Sequence, residues 1–224
     1  MIKDLMRHIA RAVGIAMLGV GGVWAGTIDV VVHDRKGNPV PDVVVLAESS
    51  TGEPLPFGAG AQTVFEIDQH HMMFDPYISV VPVGSSVNFR NSDATAHHVY
   101  SFSKTKRFTL PLYKGKAPDP VVFDKTGLVT LGCNIHDHMV GYVVVAESHV
   151  HARTDAEGKA TLAFDGDVDE LQVRIWSPRI RDKKNRLAQR ARAGATVQFD
   201  LAKKLKKPYS PHDADSSEWE DYSQ

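Results

Sequence analysis

The chain has 224 residues, 42% of them apolar, and its 26 basic and 27 acidic residues leave a formal net charge of −1. That length is enough to bury one or two β cores, and the near-neutral balance argues against nucleic acid as a partner. The single cysteine, Cys133, excludes an intrachain disulfide framework.

Lys3, Arg7 and Arg11 precede an apolar, glycine-rich run from Ala12 to Trp24, and Val23-Trp24-Ala25 supplies modest-sized residues at the −3 and −1 positions of a cut. The pattern predicts an export signal over 1–25, cleaved after Ala25, and a periplasmic mature protein without an integral membrane span. A buried core helix and a retained anchor are the other readings of that run. In an oxidising compartment a lone cysteine is a free thiol, an intermolecular link or a metal ligand.

From Thr27 the pattern turns to strands. Thr27 to His33 and Val43 to Leu46 flank a turn at Asp34 to Asn38, with Pro39 and Pro41 confining the return to an edge. Ser49 to Gly60 reads as a linker or long loop. Strands are then predicted at Ile78–Val83, Val87–Phe89, Val99–Phe102, Phe108–Tyr113 (interrupted by Pro111), Val121–Phe123, Leu128–Leu131 and Tyr142–Val145. Short strands with Gly/Pro turns about every ten residues indicate an all-β sandwich or barrel. Lys159–Phe164, Leu171–Trp176 and Ala195–Leu201 continue the pattern, Arg179 to Arg192 reads as a basic loop or short helix, and the charged stretch from Lys203 reads as a disordered tail.

Two strings carry chemistry. One is Leu131-Gly132-Cys133-Asn134-Ile135-His136-Asp137-His138-Met139; the other, upstream, is Asn91-Ser92-Asp93-Ala94-Thr95-Ala96-His97-His98. They offer a thiolate, two imidazoles and a thioether. A His₂Cys set with a long, weak axial Met is the ligand set of a mononuclear electron-transfer copper site. Cys133 would end its strand, and the loop Asn134 to Asp137 would fold back so that His136 and Met139 face the metal reached by His97. The upstream ligand is His97 with His98 as competitor, and His138 is expected to point away and be exposed. Cys133 as a small buried hydrophobe and Met139 as core filler are the plain alternatives. Zinc is the alternative metal, although it has no use for Met.

Asn91, His97 and the Cys133-x-x-His136-x-x-Met139 spacing resemble the cupredoxin family, with amicyanin and pseudoazurin nearest in spacing. His97 to Ser103 and Leu131 to Asp137 also resemble the periplasmic methylamine-utilization-type cupredoxin-domain proteins. The resemblance covers about Gln62 to Ala146. It implies an eight-stranded Greek-key sandwich, one type 1 copper, and a role carrying single electrons between redox proteins such as a cytochrome or dehydrogenase. It also implies that Asn91 ties the two ligand loops together and that electrons leave through His136. Plastocyanin-like members usually have Asn where His98 stands. That leaves His98 as an outer-shell donor, a competing ligand or a surface residue, while Asn134 is expected to place an amide near the sulfur.

The flanks, through Asp34 to Val40 and Thr154 to Gly158, resemble the carboxypeptidase-regulatory or transthyretin-like small β-sandwich. The resulting organisation is an export signal (1–25), a hairpin of the accessory sandwich (26–50), the cupredoxin domain (62–146), the rest of the accessory sandwich (147–201) and a charged tail (202–224). The two accessory pieces are expected to pack together around the inserted central domain. His70-His71-Met72-Met73 is a second set of copper-capable side chains; read as a strand, His70 and Met72 share one face and His71 and Met73 the other. It motivates a rival function, a copper chaperone, storage or resistance protein on the same fold. No general acid/base constellation is evident in the sequence, so a non-enzyme is expected.

Overall fold

A computed structural model describes residues 26–57, 63–115, 118–166, 168–182 and 186–209. The expected export signal lies outside them, as does 210–224 of the expected tail. The described residues hold sixteen strands and no helix.

The strands are β1 (Gly26–His33), β2 (Val44–Ser49), β3 (Val64–His70), β4 (Met73–Asp75), β5 (Ile78–Pro82), β6 (Ser86–Asn91), β7 (Val99–Ser101), β8 (Phe108–Thr109), β9 (Val121–Val122), β10 (Gly127–Cys133), β11 (Val140–Ala146), β12 (His151–Arg153), β13 (Lys159–Phe164), β14 (Leu171–Trp176), β15 (Arg186–Ala191) and β16 (Thr196–Asp200). They form four sheets, ordered β13-β1-β16, β12-β2-β14-β15, β5-β11-β10-β7-β8 and β4-β3-β6-β9.

The first two sheets draw on both flanks of the chain. β1 pairs antiparallel with β13 and parallel with β16, and β2 pairs with β12 and β14. Alternation explains β1: Ile28, Val30 and Val32 point inward, fully buried, and join Leu162, Phe164, Val173, Ile175 and Phe199 in one core. We call this the terminal sandwich. The other two sheets enclose a separate core of Ile67, Phe74, Phe89, Phe123, Leu131, Cys133 and Met139, and form the central sandwich. It has nine strands among the described residues rather than eight, and β8 and β9 are two-residue strands at sheet edges.

β11 joins the two units. Its sequence is continuously apolar, and all seven of its residues are buried, as such a run predicts. Val143 and Val145 face the central core, whereas Tyr142 and Val144 pack with Val44, Leu46 and Trp176 of the terminal sandwich. Each fully buried side chain of this size contributes roughly 1.5–3 kcal/mol. Gly141 has no Cβ for a packing reason, since one would lie 2.9 Å from the Phe74 ring.

Three expectations need correction. Arg179 to Arg192 contains strand β15, not a helix, because a strand at a sheet edge can leave a run such as Ala188 to Arg190 in water. His70 to Met73 is a two-residue hairpin turn rather than a strand: His70 pairs with Met73, and His71 and Met72 both have positive φ, 53° and 56°. The stretch 203–209 is anchored, with the Lys206 amide on the Arg179 carbonyl at 2.8 Å and the Tyr209 ring stacked on Tyr77 at 4.7 Å.

Candidate metal centre

Cys133 is the last residue of β10. Its strand is held between β11 and β7, where Gly132 pairs with Tyr100 and Cys133 with Val99. Gly132 permits close packing there, because a Cβ would lie 2.8 Å from the Tyr100 ring. His97 comes from the loop after β6 and is fixed by a two-way backbone bridge to Tyr113, each amide 3.0 Å from the other's carbonyl. His136 lies in the turn after β10, closed by the Met139 amide on the His136 carbonyl at 2.9 Å.

These elements bring three donors together. The sulfur of Cys133 lies 3.8 Å from Nδ1 of His97 and 3.6 Å from Nδ1 of His136, and the three ligand atoms all fall within 4.8 Å of one another. His97 is fully buried, Cys133 is 3% exposed, and His136 is half-buried. Met139 is buried in the same core cluster as Cys133.

Asp93 is the functional residue that the sequence reading missed. Its Oδ2 lies 2.7 Å from Nε2 of His97. That contact assigns the Nε2–H tautomer and turns the Nδ1 lone pair toward the sulfur, the arrangement of a carboxylate–histidine–metal triad. The carboxylate is itself held by the hairpin turn: Oδ1 accepts the His71 amide at 2.7 Å and Oδ2 the Met72 amide at 2.9 Å. Burial pushes the Asp93 carboxyl up, but the Met72 amide, the His97 ring and the His71 amide outweigh it and hold it below the usual carboxylate range. His136 is held below the ordinary histidine range by burial, then by its neighbours His97 and His138. His136 is thereby suited to offer a lone pair without first losing a proton.

The other predicted residues fall into place around this cluster. Asn91 does not bridge the two ligand loops among the described residues. Its Nδ2 donates to the carbonyls of Thr95 and Tyr113, both at 3.0 Å, and its Oδ1 accepts the Asp93 amide at 3.0 Å, so it ties the His97 loop to the segment at Tyr113. The bridge between loops is the Asn134 amide on the His98 carbonyl at 3.1 Å, while Asn134 itself is exposed. His98 is outside the donor cluster. His138 is half-buried rather than exposed, its ring 6.2 Å from that of His136. His70 and His71 stack at 3.8 Å on the exposed turn, and neither belongs to the donor cluster.

The order Asp93–His97–Cys133 is also that of a nucleophilic triad. Burial argues against that chemistry, because a 3% exposed sulfur and a fully buried imidazole leave a substrate no approach. A second imidazole on the same sulfur has no role in such a triad. A buried thiol facing two imidazoles beside a thioether residue is a donor set that suits a soft metal ion.

No protein-family model matches the chain, and no curated protein matches it. Among solved structures it is similar to a purple cupredoxin from Nitrosopumilus maritimus, at 24% identity and TM-score 0.33, over 37% of this chain and 99% of that one. It is similar to a reduced amicyanin mutant at 25% identity and TM-score 0.34, over 42% and 94% of the two chains. A pseudoazurin from a Sinorhizobium matches at 20% identity and TM-score 0.31, over 39% and 77%.

Proposed function

We propose that this chain is a periplasmic copper protein that carries single electrons between redox proteins and catalyses no reaction of its own. One observation carries the reading: a buried cysteine sulfur within 3.8 Å of the Nδ1 atoms of two histidines. The export pattern of 1–25 supports the compartment, and the family resemblance of the Cys133-x-x-His136-x-x-Met139 string supports the metal.

In this reading Cys133, His97 and His136 hold the ion and Met139 is the weak fourth ligand. Bound there, copper supplies a one-electron couple tuned by sulfur and imidazole donors. The protein's part is rigidity. Cys133 sits at the end of a strand paired on both sides, and Asp93 fixes the His97 ring. His136, the one ligand of the cluster that is not buried, is the route by which an electron reaches a partner. Exposed Ile135 beside it offers an apolar contact for that partner.

The test is the visible and EPR spectrum of the mature protein with one equivalent of Cu(II). Intense thiolate-to-copper bands with a narrow parallel hyperfine splitting, lost in Cys133→Ser, are expected. A weak tetragonal spectrum that Cys133→Ser leaves unchanged would refute the assignment and favour copper handling at nitrogen and oxygen ligands.

A further inference from the structure

We propose that Tyr209 is a positioning residue for Met139, clasping the metal loop from the terminal sandwich; the inference rests on the copper reading above. The Tyr209 hydroxyl donates to the carbonyl of His138, on the peptide that leads into Met139. Its ring lies flat on Tyr77, with centroids 4.7 Å apart and planes at 4°. Tyr77 meets Tyr142 edge-on at 5.4 Å, and Tyr142 meets Trp176 at 5.3 Å, so the clasp is continuous with the contact between the sandwiches.

The segment bearing Tyr209 is tied down upstream. Leu205 packs on the terminal core, the Lys206 amide donates to the Arg179 carbonyl at 2.8 Å, and Arg179 Nε donates to the Lys206 carbonyl at 3.3 Å. The metal loop has few other ties. Among the described residues, its backbone–backbone bonds between Asn134 and Met139 are the Asn134 amide on His98 and the Met139 amide on His136. Removing the Tyr209 hydroxyl frees the peptide that leads into the thioether residue, and the position of an axial ligand tunes a copper site. Because linkage is reciprocal, an ion that orders the loop also holds Tyr209 in place.

The experiment compares full-length wild type and Y209F, metal-free and copper-loaded. Trypsin cleavage after Lys203, Lys204 and Lys206 is followed by mass spectrometry, and thiol titration of Cys133 scores copper occupancy in the same samples. In wild type, copper slows cleavage about tenfold, the scale set by one hydrogen-bonded anchor. Y209F abolishes that protection, shifts the reduction potential and releases copper to a chelator about tenfold faster. Wild-type copper release, potential and strap protection in Y209F would overturn the proposal. A Cys133 thiol still titratable after copper addition overturns the copper reading instead. Strap cleavage at equal rates in metal-free wild type and Y209F would then overturn the clasp as well.

Discussion

Replacing Asp93 by Asn tests whether the carboxylate organises the donor cluster. Asp93 receives three N–H groups: His71 on Oδ1 at 2.7 Å, and Met72 and His97 Nε2 on Oδ2 at 2.9 and 2.7 Å. An asparagine amide has one acceptor oxygen, so either orientation sets an NH₂ group against at least one of these donors. With the NH₂ toward His97, the ring is pushed to its other tautomer, and its Nδ1–H then points at the Cys133 sulfur and opposes a metal. With the NH₂ toward His71, the hairpin turn loses the anchor for its two left-handed residues. Loss of an outer partner of a metal-bound histidine costs about 10- to 100-fold in affinity, or about 1.4–2.7 kcal/mol. The side chains of His97 and Asp93 are 0% and 11% exposed, so water substitutes poorly for the lost bond. Chelator competition for copper measures the effect. Ser92→Ala is the control, because Ser92 Oγ meets Asp68 and not the cluster. A D93N dissociation constant within twofold of wild type would refute the reasoning.

Further outcomes are expected. His97→Ala abolishes the intense thiolate-to-copper band while His98→Ala preserves it, since of this pair His97 alone reaches the sulfur; the reverse pattern in the visible spectrum would exchange their roles. Tyr113 is pushed up to about 12, by burial first, so the native state keeps its proton where the unfolded chain releases it above pH 10. Stability from this group is complete below pH 10 and falls as pH rises toward 12, by about 3 kcal/mol at the end of that range. Denaturant titrations at pH 9 and pH 11.5 on wild type and Tyr113→Phe read this, the variant showing the smaller alkaline loss. Gly141→Ala sets a methyl 2.9 Å from the Phe74 ring and costs roughly 1–3 kcal/mol; an unchanged melting temperature would contradict the packing.

The strands carrying Cys133 and the run into β11 were legible because their signals are local: an alternating strand, a short loop and a continuous apolar segment. The hairpin turn at His71 and Met72 was not. Two-residue hairpin loops usually announce themselves with Asn or Gly at the left-handed positions. Here the turn is instead supported by the carboxylate of Asp93, twenty-one residues from Met72 in sequence. The same contact hid Asp93, which reads in sequence as one more polar loop residue after Asn91. Four copper-capable side chains in a row therefore suggested a second site, where the fold uses the turn's amides to hold the carboxylate that meets His97.

The sequence by itself determined the all-β character, the Cys133–His136–Met139 spacing and the choice of donor types, because side-chain chemistry and short-range periodicity are carried by neighbouring residues. The tertiary structure decided which histidine of the 97–98 pair meets the sulfur, which nitrogen it presents, and that a segment near residue 209 reaches back to the metal loop. Those outcomes depend on hydrogen bonds between residues from about 20 to 70 positions apart, and only the closed sheets bring such partners within reach.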